Sequence, residues 1–141
     1  MNDPMISFLQ RLIRCPGFSG GEGKVIELVA GEMRRLGYDQ VSVDPMGNLL
    51  GRVGSGPCTV LFDSHADTVG VQDPQDWSFP PFGGEIHKDM ICGRGAVDMK
   101  GSIAASVFAA AQARENGFLK NYSVCVSCTV NEEDCDGEGL R

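Results

Sequence analysis

Five side chains stand out for the chemistry they could perform: His65 and Asp67 in SHADT, Asp98 in GRGAVDMKG, and the adjacent Glu132 and Glu133 in TVNEED. In extended chain, residues two apart point the same way, so Asp67 can accept the second N–H of a metal-bound His65. The plain alternative is a surface His–Asp pair. Three glycines around Asp98 imply a constrained backbone just before a helix, and by itself that aspartate would read as an ordinary N-cap. G-x-G-x-x-G is absent, so the segment is not read as a nucleotide loop. Glu132 and Glu133 repel each other at the end of an apolar run, and a bound cation would relieve that repulsion. The alternative there is a solvated acidic loop, since residues 131–141 hold five acids and one arginine. His65, Asp98 and Glu132 follow one another at intervals of 33 and 34 residues, each at the exit of a strand or hairpin. One imidazole with several carboxylates suits a hydrolytic zinc site, or a related manganese or cobalt site, better than a structural cysteine-rich one. The other histidine, His87, falls in a polar hairpin and is expected to be exposed and uninvolved.

These residues must be positioned by an alternation of helices and strands. Asp3-Pro4 reads as an N-cap with proline at the first helical position, followed by Phe8, Leu9, Leu12 and Ile13 at helical spacing. After the glycine-rich FSGGEG, Val25, Leu28, Val29, Met33 and Leu36 mark a second helix that Gly37 can close. VSV, the turn DPMGN and LLGRV predict a hairpin, and CTVLFD reads as a strand covered on both faces. Residues 73–84 predict a loop, GEIHKDMICGRG a small hairpin turning at Lys88-Asp89, and GSIAASVFAAAQAREN a small-residue helix ending at Gly117. YSVCVSCTV reads as a strand interior to the sheet, whose partner would be supplied after Arg141, leaving one edge free. The pattern is α/β.

Composition narrows the function classes. A chain of 141 residues with 42% hydrophobic content can bury one core, and a net charge of −7 disfavours nucleic acid, whose phosphates need a basic surface. No apolar run approaches a membrane span and the N-terminus has no signal-peptide pattern, so no membrane contact and a cytoplasmic address are expected. The six cysteines lack framework spacing. Cys125 and Cys128 form a C-x-x-C, but in a strand they face opposite sides and are not expected to share a metal or a disulfide.

Together SHADTV, GRGAVDMKG and TVNEED resemble the zinc-dependent amidohydrolase and exopeptidase family that includes acetylornithine deacetylase, succinyl-diaminopimelate desuccinylase, aminoacylase and carboxypeptidase G. VSVDPMGNLLG and EEDCDG are further similar to its selenium-metabolism-linked hydrolase branch. The resemblance extends from the first helix to the last residue. It implies an α/β catalytic domain with helices packed on a mostly parallel sheet, and residues 1–141 as its N-terminal, incomplete portion without the lid domain. It implies two divalent metal ions, zinc before cobalt or manganese: His65 binding one, Asp98 bridging both, Glu133 binding the other, Asp67 supporting His65, and Glu132 serving as general base. A cis peptide between Asp98 and Met99 is implied as well. The expected activity is hydrolysis of a small-molecule amide or peptide, of deacylase or exopeptidase type, inactive in this segment alone. Two of five protein ligands and any homodimer contact would come from later residues. The competing expectation is a non-catalytic fragment that binds metal weakly or associates with a partner chain.

Overall fold

The computed structural model describes residues 3–135, so the last two residues of EEDCDG lie outside the described residues. Helix α1 (Pro4–Ile13) begins where the sequence predicts, with an Asp3 carboxylate oxygen accepting the Met5 N–H at 2.8 Å. Its apolar stripe of Phe8, Leu12 and Ile13 is fully buried. Helix α2 (Gly23–Arg35) buries Val25, Ile26, Val29 and Met33, and Gly37 ends it at φ 74°. Helix α3 (Lys100–Glu115) turns Ile103, Ala104, Val107, Ala110 and Ala111 inward. Its small residues let it approach α1, where Phe8 and Phe108 meet with ring centroids 6.0 Å apart.

The main sheet runs in the order β1 (Gln40–Val43), β2 (Leu49–Val53), β6 (Tyr122–Thr129), β3 (Cys58–His65). Asp44 accepts the N–H groups of Met46, Gly47 and Asn48, each at 2.9 Å, and this turn folds β1 and β2 into an antiparallel hairpin. Helix α2 lies so close to β2 that a Cβ on Gly51 would fall 2.4 Å from Met33 Sδ. The short hairpin β4 (Glu85–His87) and β5 (Met90–Cys92) turns at Lys88, φ 57°, and hangs from α1 through Gln10 Nε2 to Gly84 O at 2.7 Å. A 3-10 turn (Pro74–Asp76) interrupts the preceding loop, and one helical turn, α4 (Glu132–Cys135), ends the described chain. No helix among the described residues is long and apolar enough to cross a membrane.

Three expectations need correction. The fold is α/β, but the sheet is mixed rather than mostly parallel: β3 pairs with β6 in parallel, while β1–β2 and β2–β6 are antiparallel. The tight turn after β1 dictates the first antiparallel pair, and β2 then enters beside β6 in the opposite sense. CTVLFD is not covered on both faces, because β3 is an edge strand whose Val60, Leu61 and Phe62 are all exposed. β6 is the interior strand, as expected, but it is paired on both sides and has no free edge; the edges of the sheet are β1 and β3. The plainer alternative for Asp98, a helix cap, does not hold, since α3 starts two residues later with Met99 at the cap position.

The parallel pairing positions the site. Its register sets His65 beside Thr129, and Ala66 N–H still bonds to Thr129 O at 2.8 Å. Both strands therefore deliver their following residues, 66–68 and 130–133, to the same end of the sheet.

Candidate metal centre

His65 ends β3 and is buried, with 8% of its side chain exposed. Its Nδ1 lies 3.0 Å from the main-chain oxygen of Asp67 and its Nε2 3.0 Å from Asp98 Oδ1. Both ring nitrogens thus face acceptors. A neutral imidazole has only one N–H, and an imidazolium or a cation between Nε2 and Asp98 would satisfy both contacts. Burial works to lower the His65 pKa, but the Asp98 hydrogen bond, the Asp67 carbonyl and the charges of Glu132 and Asp67 together raise it.

Asp98 reaches this point from the glycine-flanked segment. The bond from Asp98 to Met99 is cis, as the resemblance implies, and the Asp98 side chain is 72% exposed. Behind it Lys100, fully buried, donates Nζ to Leu12 O at 3.0 Å and Cys15 O at 2.8 Å, tying the start of α3 to the end of α1. Burial pulls the Lys100 pKa down to about 8.

Glu132 and Glu133 enter from β6 by a sharp bend. Asn131 has φ 57°, which redirects the chain out of the sheet. Glu132 Oε2 comes to 3.8 Å from His65 Nε2, and ligand atoms of His65, Asp98 and Glu133 lie within 4.8 Å of one another.

Asp67 is wholly buried beneath them. Its carboxylate accepts Ser19 Oγ–H at 2.7 Å and Glu133 N–H at 3.0 Å on Oδ2, and Glu132 N–H at 3.2 Å on Oδ1. Burial would push its pKa up, yet the Ser19 hydroxyl and the N–H groups of Glu133 and Glu132 outweigh that and hold it below the ordinary aspartate value. The imidazole contact runs chiefly through the main-chain carbonyl, with Asp67 Oδ1 at 3.5 Å from Nδ1.

All five sequence-selected residues therefore gather at one end of the sheet. A nitrogen and two carboxylate donors, with an acceptor-lined imidazole among them, is a donor set that fits a hard or borderline divalent cation. His87 lies apart, paired with Glu85 at 2.8 Å and stacked on Phe79. Cys125 and Cys128 are free thiols, Cys128 buried and Cys125 partly so. Sequence reasoning missed Glu22 and Asn48, whose side chains accept amides of the turn that carries the glutamates, and Ser19, which donates to Asp67 beneath it. Their partners lie 48–109 residues away, so no local spacing marks them.

Residues 61–141 match Peptidase family M20/M25/M40. The chain is 40% identical over 133 residues to the uncharacterized protein YgeY of Escherichia coli K12, covering 94% of this chain and 33% of that one. It is 32% identical over 144 residues to succinyl-diaminopimelate desuccinylase of Blochmanniella pennsylvanica, covering 97% and 36%. Among solved structures, an M20 family metallo-carboxypeptidase of Sulfolobus solfataricus superposes with TM-score 0.82 at 22% identity, over 90% of this chain and 30% of that one. A dinuclear metal binding peptidase, YXEP of Bacillus subtilis, superposes with TM-score 0.70 at 12% identity, over 92% and 35%. The chain thus spans about a third of the length of the relatives it matches.

Proposed function

Because this chain belongs to peptidase family M20/M25/M40, we propose that it carries the metal-binding and proton-transfer residues of a hydrolase that cleaves amide or peptide bonds of small substrates, of deacylase or exopeptidase type. The observation that carries this reading is the convergence of His65, Asp98 and Glu133 donors within 4.8 Å, with Glu132 beside them. The group these residues fit is a pair of divalent ions, zinc before cobalt or manganese. His65 would hold one ion through Nε2, Asp98 would bridge, and Glu133 would hold the second. When bound, such ions supply Lewis acidity, which brings a water towards a pKa of about 7 and polarises a carbonyl.

The chain's own residues account for the rest. His65 is held with Nε2 outward because Nδ1 faces the Asp67 carbonyl. Glu132, with 44% of its side chain exposed, stands at the open side of the cluster, where its carboxylate can take a proton from the attacking water and return it to the leaving amine. Asp67 cannot serve as that base, because it is fully buried and its oxygens are occupied.

The test uses a protein of the relatives' full length that contains this segment. Glu132→Gln should retain both metals and lose turnover of an acylated amino acid or dipeptide by at least about a hundredfold, in the range of general-base loss. His65→Ala should lose metal. Near-normal turnover in Glu132→Gln would overturn the base assignment, and a wild-type protein without metal would favour the non-catalytic reading.

A further inference from the structure

The interstrand pairing of β6 ends at Thr129, where His65 is its partner, and the next four amides are all claimed by side chains from distant segments. Val130 N–H donates to Asn48 Oδ1 at 3.0 Å, Asn131 N–H to Glu22 Oε1 at 2.9 Å, and Glu132 and Glu133 N–H to the two oxygens of Asp67. The pivot of this turn is Asn131, whose left-handed conformation is uncommon for a residue with a Cβ. Glu22 is what holds it.

Glu22 is itself unusual. It occupies the N-cap position of α2, yet its side chain makes no capping bond to that helix. The residue is only 4% exposed, and among the described residues no cation pairs with it. Oε1 instead takes two N–H donors, Asn131 and, at 3.0 Å, Gly20, which stands at φ 80° in the loop before α2. That same loop sends Ser19 Oγ to Asp67. A carboxylate withdrawn from water without a counter-charge is costly, and here its hydrogen bonds all serve the loop 18–22 and the turn 130–133.

From this arrangement we infer that Glu22 is a positioning residue of the metal centre: it pins Asn131 so that both adjacent carboxylates reach the cluster, Glu133 within 4.8 Å of the His65 and Asp98 donors and Glu132 at 3.8 Å from His65 Nε2. The role rests on the metal-site reading above. Without Glu22 the Asn131 amide loses its acceptor, the bend relaxes, and Glu133 no longer shares a point with donors carried on β3 and the 93–99 segment. A glutamine should substitute well, since a single oxygen receives both bonds and the amide retains it.

The experiment compares a protein of the relatives' full length that contains this segment with its Glu22→Ala, Glu22→Gln and Val25→Ala variants. Val25→Ala removes buried apolar volume from the same helix and reports plain destabilisation. Amide hydrogen exchange and cobalt(II) titration, read by visible absorption, are measured for each. Glu22→Ala should speed exchange at residues 131–133 while leaving 124–128 protected, and should weaken cobalt binding about ten- to a hundredfold, the usual loss for a residue supporting a metal ligand. Glu22→Gln should stay near wild type in both, and Val25→Ala should keep cobalt affinity and the slow exchange of 131–133 relative to the rest of the chain. Unchanged exchange at 131–133 in Glu22→Ala would overturn the clamp. Faster exchange there with unchanged cobalt affinity would overturn its positioning role. A wild-type chain that binds no cobalt would instead reject the metal-site reading and the positioning role with it, while exchange would still report on the clamp.

Discussion

Asp67 shows how one buried carboxylate can organise a site without meeting substrate. Its two oxygens receive Ser19, Glu132 and Glu133, and its main-chain oxygen faces His65 Nδ1. Asparagine has the same shape but only one acceptor oxygen, so either rotamer sets its NH2 against an N–H donor of the turn or removes a site from Ser19. Asp67→Asn should therefore cost about 1–3 kcal/mol, as expected for a buried donor left unmade. It should also weaken cobalt binding by about ten- to a hundredfold. Urea denaturation and cobalt titration measure the two effects. Wild-type stability in the variant would mean that these hydrogen bonds are not what keeps the carboxylate buried.

Among the elements, α1 and α2 are joined by a carboxylate of the ordinary structural kind. Glu32 is nearly buried on α2 and accepts Arg11 of α1 at 2.6 Å and Arg35 one turn on at 2.5 Å. Burial alone would raise its pKa, but hydrogen bonds and charge from Arg35 and Arg11 lower it below the ordinary glutamate value. A depressed carboxylate pKa contributes stability that is complete above the unfolded value of about 4.3 and is lost as pH falls through the folded one. Both guanidinium groups are half-exposed, so the contribution is smaller than that of a fully buried pair. Glu32→Gln should lose about 1–2 kcal/mol at pH 7, and the gap to wild type should close as the pH falls below about 4. Urea midpoints at pH 7 and pH 3 decide it: an equal gap at both would show that the pair's charge contributes nothing.

Across the whole molecule, the sheet ends in two edge strands, β1 and β3, of which β3 carries a run of exposed apolar residues. β3 presents Val60, Leu61 and Phe62, consecutive residues that point to opposite faces, at 43%, 58% and 45% exposure. An unpaired strand with apolar side chains on both faces is a template for another strand. The 141-residue chain should accordingly associate as its concentration rises, and Leu61→Lys, which adds charge to that edge, should shift it towards monomer. Sedimentation velocity over a range of concentrations would show this. A wild-type chain that stays monomeric throughout would mean that the edge is protected in solution.

Local chemistry made much of this protein readable from residue types alone. Asp3-Pro4 and Gly37 mark helix ends because capping depends on a side chain and its nearest amides, and the turn at Lys88 follows from a few neighbouring residues. His65, Asp98 and the two glutamates each had a plainer reading alone, and it was the resemblance of the three motifs taken together that gave them their expected roles. Strand order was another matter. A continuous apolar run looks the same whether it becomes the interior β6 or the edge β3, since burial of a strand is decided by what pairs with it and not by its own composition. The support beneath the site was equally hidden: Glu22 lies 109 residues before Asn131, and only the parallel register of β3 with β6 brings the loop before α2, the end of β3 and the turn after β6 to one place. Hydrogen bonds between distant segments leave no period in a sequence, because their partners meet only after the chain has folded.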